Sequence, residues 1–272
     1  MSVSGTPLSY AASMNRGPSI RFLGHSTVLI DVDGVRILTD PVLVDRIGPL
    51  HRHTGDLREA IADLGIDAVL VSHGHHDHLH LPSLGRLAGR PKIVAPRGLG
   101  TMLSRRGHDV VEIGPGDTLR IGPVLIEAIT AVHHGGRRPL GPSATAVGFC
   151  VRGSTSVYFA GDTDLFPEMD DLAGTVDVAL LPVWGWGPRL GGGHLDPARA
   201  AEAVARIRPR IAIPIHWGTF YPFGLARLWR RPLAEPPLRF AEEVARRAPG
   251  TEVRILAPGS PAIDIGRRGS TA

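Results

Sequence analysis

Ser72-His73-Gly74-His75-His76-Asp77-His78-Leu79-His80 is the stretch on which the reading of this chain turns. It follows Asp67-Ala68-Val69-Leu70-Val71, a Val-rich run that reads as a buried strand. Five of the eight residues from His73 to His80 carry imidazoles and one carries a carboxylate. His73 and His75 stand two apart, so in extended backbone they point to the same side, and Gly74 between them permits a tight bend. Asp77 and His78 are adjacent, point in different directions and can reach a second centre. Neutral imidazole and carboxylate are the ligands that zinc and similar divalent ions take. A histidine-rich tail would have a similar composition, but this cluster stands at a strand end, where side chains are held in place.

Outward from this stretch, other strand-like runs end in side chains of the same kind. Upstream, 19–23, 27–32 and 35–39 read as strands, with Asp33-Gly34 as a hairpin turn. His25 interrupts the first two and Asp40-Pro41 ends the third, positions that suit residues supporting a metal ligand. Downstream, the strand at 124–130 runs into His133-His134-Gly135-Gly136, and the hairpin of 145–151 and 156–160 delivers Gly161-Asp162. A buried Asp without a partner is costly, and a cation beside Asp162 removes that cost. The strand at 211–215 ends in His216-Trp217-Gly218-Thr219. Asp196-Pro197 opens a helix to Ile207, with Asp196 as N-cap. Further helices are expected from Asp56 to Leu64, from Pro82, over 97–106, after Asp164 as a cap, and over 235–247. The last strand is expected near 253–256. His51 and His53 are candidates for a cleft rim.

Composition narrows the class. The chain has 272 residues, 43% hydrophobic and 21% charged, as in ordinary globular proteins. A net charge of +4 is too small to imply nucleic acid. Cys150 is the only cysteine, which excludes an intramolecular disulfide and a Cys-rich metal cluster; its apolar setting reads as an inert buried thiol. No basic segment with a long apolar core opens the chain, and no apolar run has the length of a membrane span, so a cytoplasmic location is expected. The expected organisation is a loose arm over 1–18, one domain over 19–258 and a disordered tail over 259–272.

The H-x-H-x-D-H pattern at 73–78 resembles that of the metallo-β-lactamase superfamily. Within it, the chain is most similar to proteins of the N-acyl-phosphatidylethanolamine-hydrolysing phospholipase D-like and lactonase-like bacterial group. Gly24-His25-Ser26-Thr27, Leu38-Thr39-Asp40-Pro41, Pro188-Arg189, His194-Leu195-Asp196-Pro197 and His216-Trp217-Gly218-Thr219-Phe220 carry that likeness over nearly the whole chain. The residue between the second His and the Asp, tyrosine-like in that group, is His76 here.

The resemblance implies an α/β fold, an αββα sandwich of two β-sheets flanked by helices, and two divalent metal ions, Zn2+ first with Mn2+ or Fe2+ as alternatives. His73, His75 and His133 would hold one ion; Asp77, His78 and His216 the other; Asp162 would bridge. His133 is preferred over His134 by its place in the Ala-x-His element. Asp77 and His194 are the candidate catalytic side chains, with His25, Asp40 and Arg189 supporting ligands or substrate. The implied activity is hydrolysis of a phosphodiester in a small-molecule or lipid-like anionic substrate by a metal-bound hydroxide. Lactone or ester hydrolysis at the same site is the alternative, and iron-dependent oxidoreduction is the alternative of another class. The oligomeric state is not legible.

Overall fold

A computed structural model describes residues 17–54, 65–137, 141–187 and 189–267. The first half contains β1 (Ser19–Gly24), β2 (Thr27–Val32), β3 (Val35–Thr39), β4 (Arg46–Ile47), β5 (Leu50–Arg52), β6 (Ala68–Leu70), α1 (Leu81–Leu84), β7 (Lys92–Pro96), α2 (Gly100–Ser104) and β8 (Val110–Ile113). The second half contains β9 (Thr118–Ile121), β10 (Val124–His134), β11 (Thr145–Arg152), β12 (Ser156–Phe159), a 3-10 turn at Pro167–Leu172, β13 (Val178–Pro182), α3 (Pro197–Ile207), β14 (Ile211–Ile215), β15 (Phe220–Pro222), α4 (Leu225–Leu228), α5 (Arg231–Arg247), β16 (Glu252–Val253) and β17 (Ile263–Asp264). Two seven-stranded sheets result among the described residues, ordered β17-β1-β2-β3-β6-β7-β8 and β16-β14-β13-β12-β11-β10-β9. β15, β5 and β4 form a small third sheet.

Strand periodicity sorts the side chains into layers. Ile37, Ala68 and Leu70 point into the core shared with Phe149, Tyr158 and Phe159 of the other sheet. Their neighbours Leu38, Val69 and Val71 point the opposite way, onto Leu84 of α1 and Leu99 and Leu103 beside and within α2. Strands covered on both faces read as near-continuous apolar runs, which is why 67–71 looks so uniformly hydrophobic. On the far side, Ala200, Val204 and Ile207 of α3 and Phe240 and Val244 of α5 close over the second sheet. This is the expected αββα sandwich. Each fully buried Leu, Ile or Phe contributes about 1.5–3 kcal/mol relative to exposure. α3 begins where expected: the Asp196 carboxylate accepts from Arg199 N–H at 2.9 Å, with Pro197 in the first turn.

Four expectations are corrected. The segment from 259 is not a disordered tail throughout: Ile263–Asp264 pair with Ser19 and Ile20, and Ile265 is buried. α5 starts at Arg231 rather than Glu235, although Pro236 and Pro237 lie inside it without the N–H a helix uses. Asp164 caps no helix; it accepts from Leu165 N–H at 2.8 Å and pairs with Arg199, while the 3-10 turn starts after Phe166. The strand expected near 253–256 is β16, which stops at Val253, before Arg254, and is not the last, since β17 follows it. The helices at 82 and 97–106 are present but short, at Leu81–Leu84 and Gly100–Ser104. The helix expected over 56–64, the arm over 1–16 and the final residues 268–272 lie outside the described residues. No helix among the described residues is long and apolar enough to cross a membrane.

Candidate metal centre

The imidazoles converge because several strands deliver them beyond the same edge of the sandwich. β3 and β6 run parallel, as do β12, β13 and β14, so their carboxyl ends lie together. The open edge beyond such ends is where sheets of this kind place ligands. Asp40 follows β3, His73 to His78 follow β6, Asp162 follows β12 and His216 follows β14. β10 contributes His133 through a register shift between Thr130 and His134, a bulge that re-aims the side chain. Gly161 has φ +61°, and a Cβ there would lie 2.6 Å from Ser72 Cβ. Only glycine lets the Asp162 strand approach the histidine-dense loop so closely.

Ligand-type atoms gather in two adjoining groups. In the first, His73 Nε2 and His133 Nε2 lie 3.0 and 3.2 Å from His75 Nδ1. In the second, His78 Nε2 lies 3.1 Å from His216 Nε2 and 3.7 Å from Asp77 Oδ2, and His25 Nε2 lies 3.0 Å from the same Asp77 oxygen. Asp162 stands between them. Its Oδ2 is 3.2 Å from His78 Nε2, its Oδ1 is 3.3 Å from His216 Nε2, and it also groups with His133 and His194. His134 is exposed and belongs to neither group.

These residues fit a cation. Asp162 Oδ1 is buried and has no hydrogen-bond partner, a costly state that a cation relieves. Imidazole nitrogens facing one another near 3 Å repel if both carry lone pairs or both carry protons. Burial holds His73 well below the ordinary histidine range, His75 down to about 4 and His216 down to about 3, the neutral form that ligates a metal. Burial also depresses His133. His78 is the exception: burial alone would lower it, but Asp162 and Asp77 outweigh that and hold it well above its usual value. Burial would raise both carboxyls, yet His216 and His78 keep Asp162 well below the carboxylate range, and His78 and His25 do the same for Asp77.

Supporting groups fix which nitrogen faces inward. His216 Nδ1 donates to Trp184 O at 2.7 Å and His133 Nδ1 donates to Gly193 O at 2.8 Å. Both rings therefore present Nε2 lone pairs. His78 Nδ1 donates to Asp40 Oδ2 at 2.7 Å. Fully buried Asp40 also accepts from Ser72 N–H at 2.7 Å and Ser72 Oγ–H at 2.5 Å. The His25 ring packs on His216 with centroids 3.9 Å apart. His25, Asp40 and His216 all have positive φ, at 56°, 32° and 63°. Such strain persists where the surroundings over-determine the residue, as they do here.

The site opens into a cavity of about 700 Å³ lined by Ile47, Leu50, Trp186, Arg189, Leu190 and His194 with the inner residues. His51 and His53 do not line it; the β4–β5 turn does, and His51 packs on Phe223 instead. Trp184 does not line the cavity; its carbonyl accepts from His216 Nδ1. Arg189 is exposed at the rim. His194 Nε2 lies 3.5 Å from Asp162 Oδ2. Ser72, Gly193 and the turn at 47–50 carried no sequence signal, because each acts through backbone or through a contact distant in the chain.

A family described as Beta-lactamase superfamily domain matches residues 35–217. An N-acyl-phosphatidylethanolamine-hydrolyzing phospholipase D 1 of Caenorhabditis elegans is 31% identical over 239 residues, covering 78% of this chain and 66% of that protein. A UPF0173 metal-dependent hydrolase of Thermococcus kodakarensis is 31% identical over 253 residues, 88% of this chain and 96% of that protein. An uncharacterized protein of Mycobacterium tuberculosis is 30% identical over 236 residues; the match takes in 80% of this chain and spans 62% of that relative's length. Among solved structures, Igni18, a metallo hydrolase from Ignicoccus hospitalis, aligns with a TM-score of 0.71 at 24% identity over 91% of this chain and 99% of that one. That likeness concerns the fold.

Proposed function

The chain belongs to the metal-dependent hydrolases of the Beta-lactamase superfamily, and we propose that it is a dinuclear enzyme that cleaves a phosphodiester in a small or lipid-like anionic substrate. His73, His75 and His133 would hold one ion, Asp77, His78 and His216 the other, and Asp162 both. The position of Asp162 carries this reading: one carboxylate faces His78 and His216 and also groups with His133. Bound there, a pair of divalent ions, Zn2+ or else Mn2+ or Fe2+, acidifies water and offsets charge building on the scissile group.

The chain's own residues supply the rest. Trp184 O and Gly193 O hold the ring orientations, and Asp40 holds that of His78. Ile47, Leu50, Trp186 and Leu190 shield the cavity from water and accept apolar parts of the substrate. Arg189 at the rim draws an anionic group. His194 donates a proton or a hydrogen bond to the departing oxygen. A Ser or Cys nucleophile is not required. The relative from Caenorhabditis elegans, named as a phospholipase D, supports the phosphodiester reading. The apolar wall favours lactone or ester hydrolysis as the second reading.

The test is a panel of bis-(p-nitrophenyl) phosphate, phospholipids and lactones on metal-reconstituted protein, with Asp162→Asn as control. Phosphodiester turnover abolished in the variant is expected. Lactone opening without phosphodiester cleavage reverses the order of the two readings, and full activity in Asp162→Asn refutes the site. Metal analysis separates the classes: about two zinc or manganese per chain accords with hydrolysis, about one iron with oxygenation.

A further inference from the structure

Arg137 lies four residues past His133, and its guanidinium reaches back to the histidine-dense loop. Nη1 donates to Leu79 O at 2.7 Å and to Gly74 O at 3.2 Å. Nη2 lies 3.0 Å from His76 Nδ1. The two loops are also joined by Gly74 N–H donating to Gly135 O at 2.7 Å, and a Cβ on Gly74 would lie 2.9 Å from that oxygen. Backbone packing thus holds together the two loops that carry Arg137 and His76.

A guanidinium has donors and no acceptor. His76 Nδ1, facing the Arg137 donor, therefore accepts, which leaves the ring N–H on Nε2. His76 is exposed and lines the same cavity as His75, Asp77 and Asp162. Its Nε2 makes no hydrogen bond among the described residues.

We propose that His76 is a substrate-binding donor, locked by Arg137 in the Nε2–H tautomer, and that it serves a non-bridging oxygen of the bound phosphodiester. This rests on the hydrolytic reading above. That oxygen gains negative charge as the bond to the nucleophile forms, so a fixed donor binds the transition state more tightly than the ground state. Arg137 is then a positioning residue, acting through His76 and the two carbonyls it holds. The arrangement belongs to this chain's own loop, where an imidazole stands between the second ligand histidine and Asp77.

Two measurements test it on the metal-reconstituted full chain. Long-range 1H–15N correlation of the histidine side chains, with the His76 signal identified by its loss in His76→Gln, is expected to show the Nε2–H tautomer. Arg137→Met is expected to convert that signal to a mixture, and Arg137→Lys, which keeps one donor, to restore it in part. In kinetics on the phosphodiester that wild type cleaves, His76→Phe lowers kcat roughly 10- to 100-fold with little change in KM, as expected for a lost bond to a charged group. His76→Gln, whose N–H reaches where Nε2–H stood, recovers at least about threefold over His76→Phe. Metal content is measured in every variant, and a drop in kcat without metal loss supports the donor role. An Nδ1–H tautomer in wild type, or a His76→Phe enzyme within about twofold of wild-type kcat, overturns the proposal while leaving the hydrolytic reading intact. Absence of turnover by wild type on the whole panel overturns the hydrolytic reading and the donor role with it.

Discussion

Asp40→Asn isolates the support beneath the second group of ligands. The carboxylate is fully buried and receives three donors: Ser72 N–H on one oxygen, and Ser72 Oγ–H and His78 Nδ1–H on the other. An amide of the same shape has one acceptor oxygen. Whichever way it turns, its NH2 faces either the Ser72 backbone N–H or the His78 ring N–H, donor against donor. The substitution also removes the negative charge next to His78. Losing one charge-assisted bond costs about 1.5–3 kcal/mol. Passed through the His78 ring, that cost falls on metal binding, where losing a carboxylate behind a ligand histidine lowers affinity about 10- to 100-fold. At about 1.4 kcal/mol per factor of ten the two figures agree. Competition against a chelator, followed by metal analysis, measures it. The variant is expected to fall from about two ions per chain to about one under a chelator concentration that wild type withstands, because only the centre containing His78 is loosened. Unchanged affinity at both centres would refute the reasoning.

Two further perturbations test the scaffold. Gly161→Ala places a methyl 2.6 Å from Ser72 Cβ at φ +61°, so a loss of roughly 1–3 kcal/mol and a Tm several degrees lower are expected; an unchanged calorimetric Tm contradicts the proposed close approach. Burial pushes the Cys150 thiol from 9.0 up to about 12. The unfolded chain thus loses this proton before the folded one, so the contribution is whole below about pH 9 and lost progressively towards pH 12, up to about 4 kcal/mol. Denaturant unfolding of wild type and Cys150→Ala should therefore differ in slope against pH only in that window, and parallel curves there exclude the effect.

What the sequence made legible follows from how the elements are specified. The paired strands 27–32 and 35–39 and the parallel ones at 67–71 and 211–215 announce themselves through apolar runs, since each is buried on both faces. The strand at Ile263–Asp264 does not. It is two residues long, and its existence depends on β1 offering an unpaired edge more than two hundred residues earlier. The start of α5 was hidden for a different reason: Pro232, Pro236 and Pro237 argue locally for a loop, and burial of all three against the fold overrides that preference. The cavity wall at Ile47 and Leu50 was invisible because β4 and β5, two and three residues long, carry almost no periodicity.

The site itself was legible for the opposite reason, since it violates the rule that makes a core. His73, His78, Asp162 and His216 are each almost fully buried, yet the runs that lead to them are apolar. Polar side chains at the ends of buried strands carry a free-energy cost that sequence patterning ordinarily avoids. Positive φ at His25, Asp40 and His216 adds to that cost, and none of the three is a glycine. A fold that accepts several such penalties at one edge must recover them through something those side chains bind together. Four distant strand ends bearing imidazole or carboxylate are therefore what marks this edge in the sequence, and the fold brings them together there. Asp40, which lies beneath His78, was legible from its place at the end of β3; the carbonyls of Trp184 and Gly193, which aim the His216 and His133 rings, were not, because a backbone oxygen leaves no mark in the sequence.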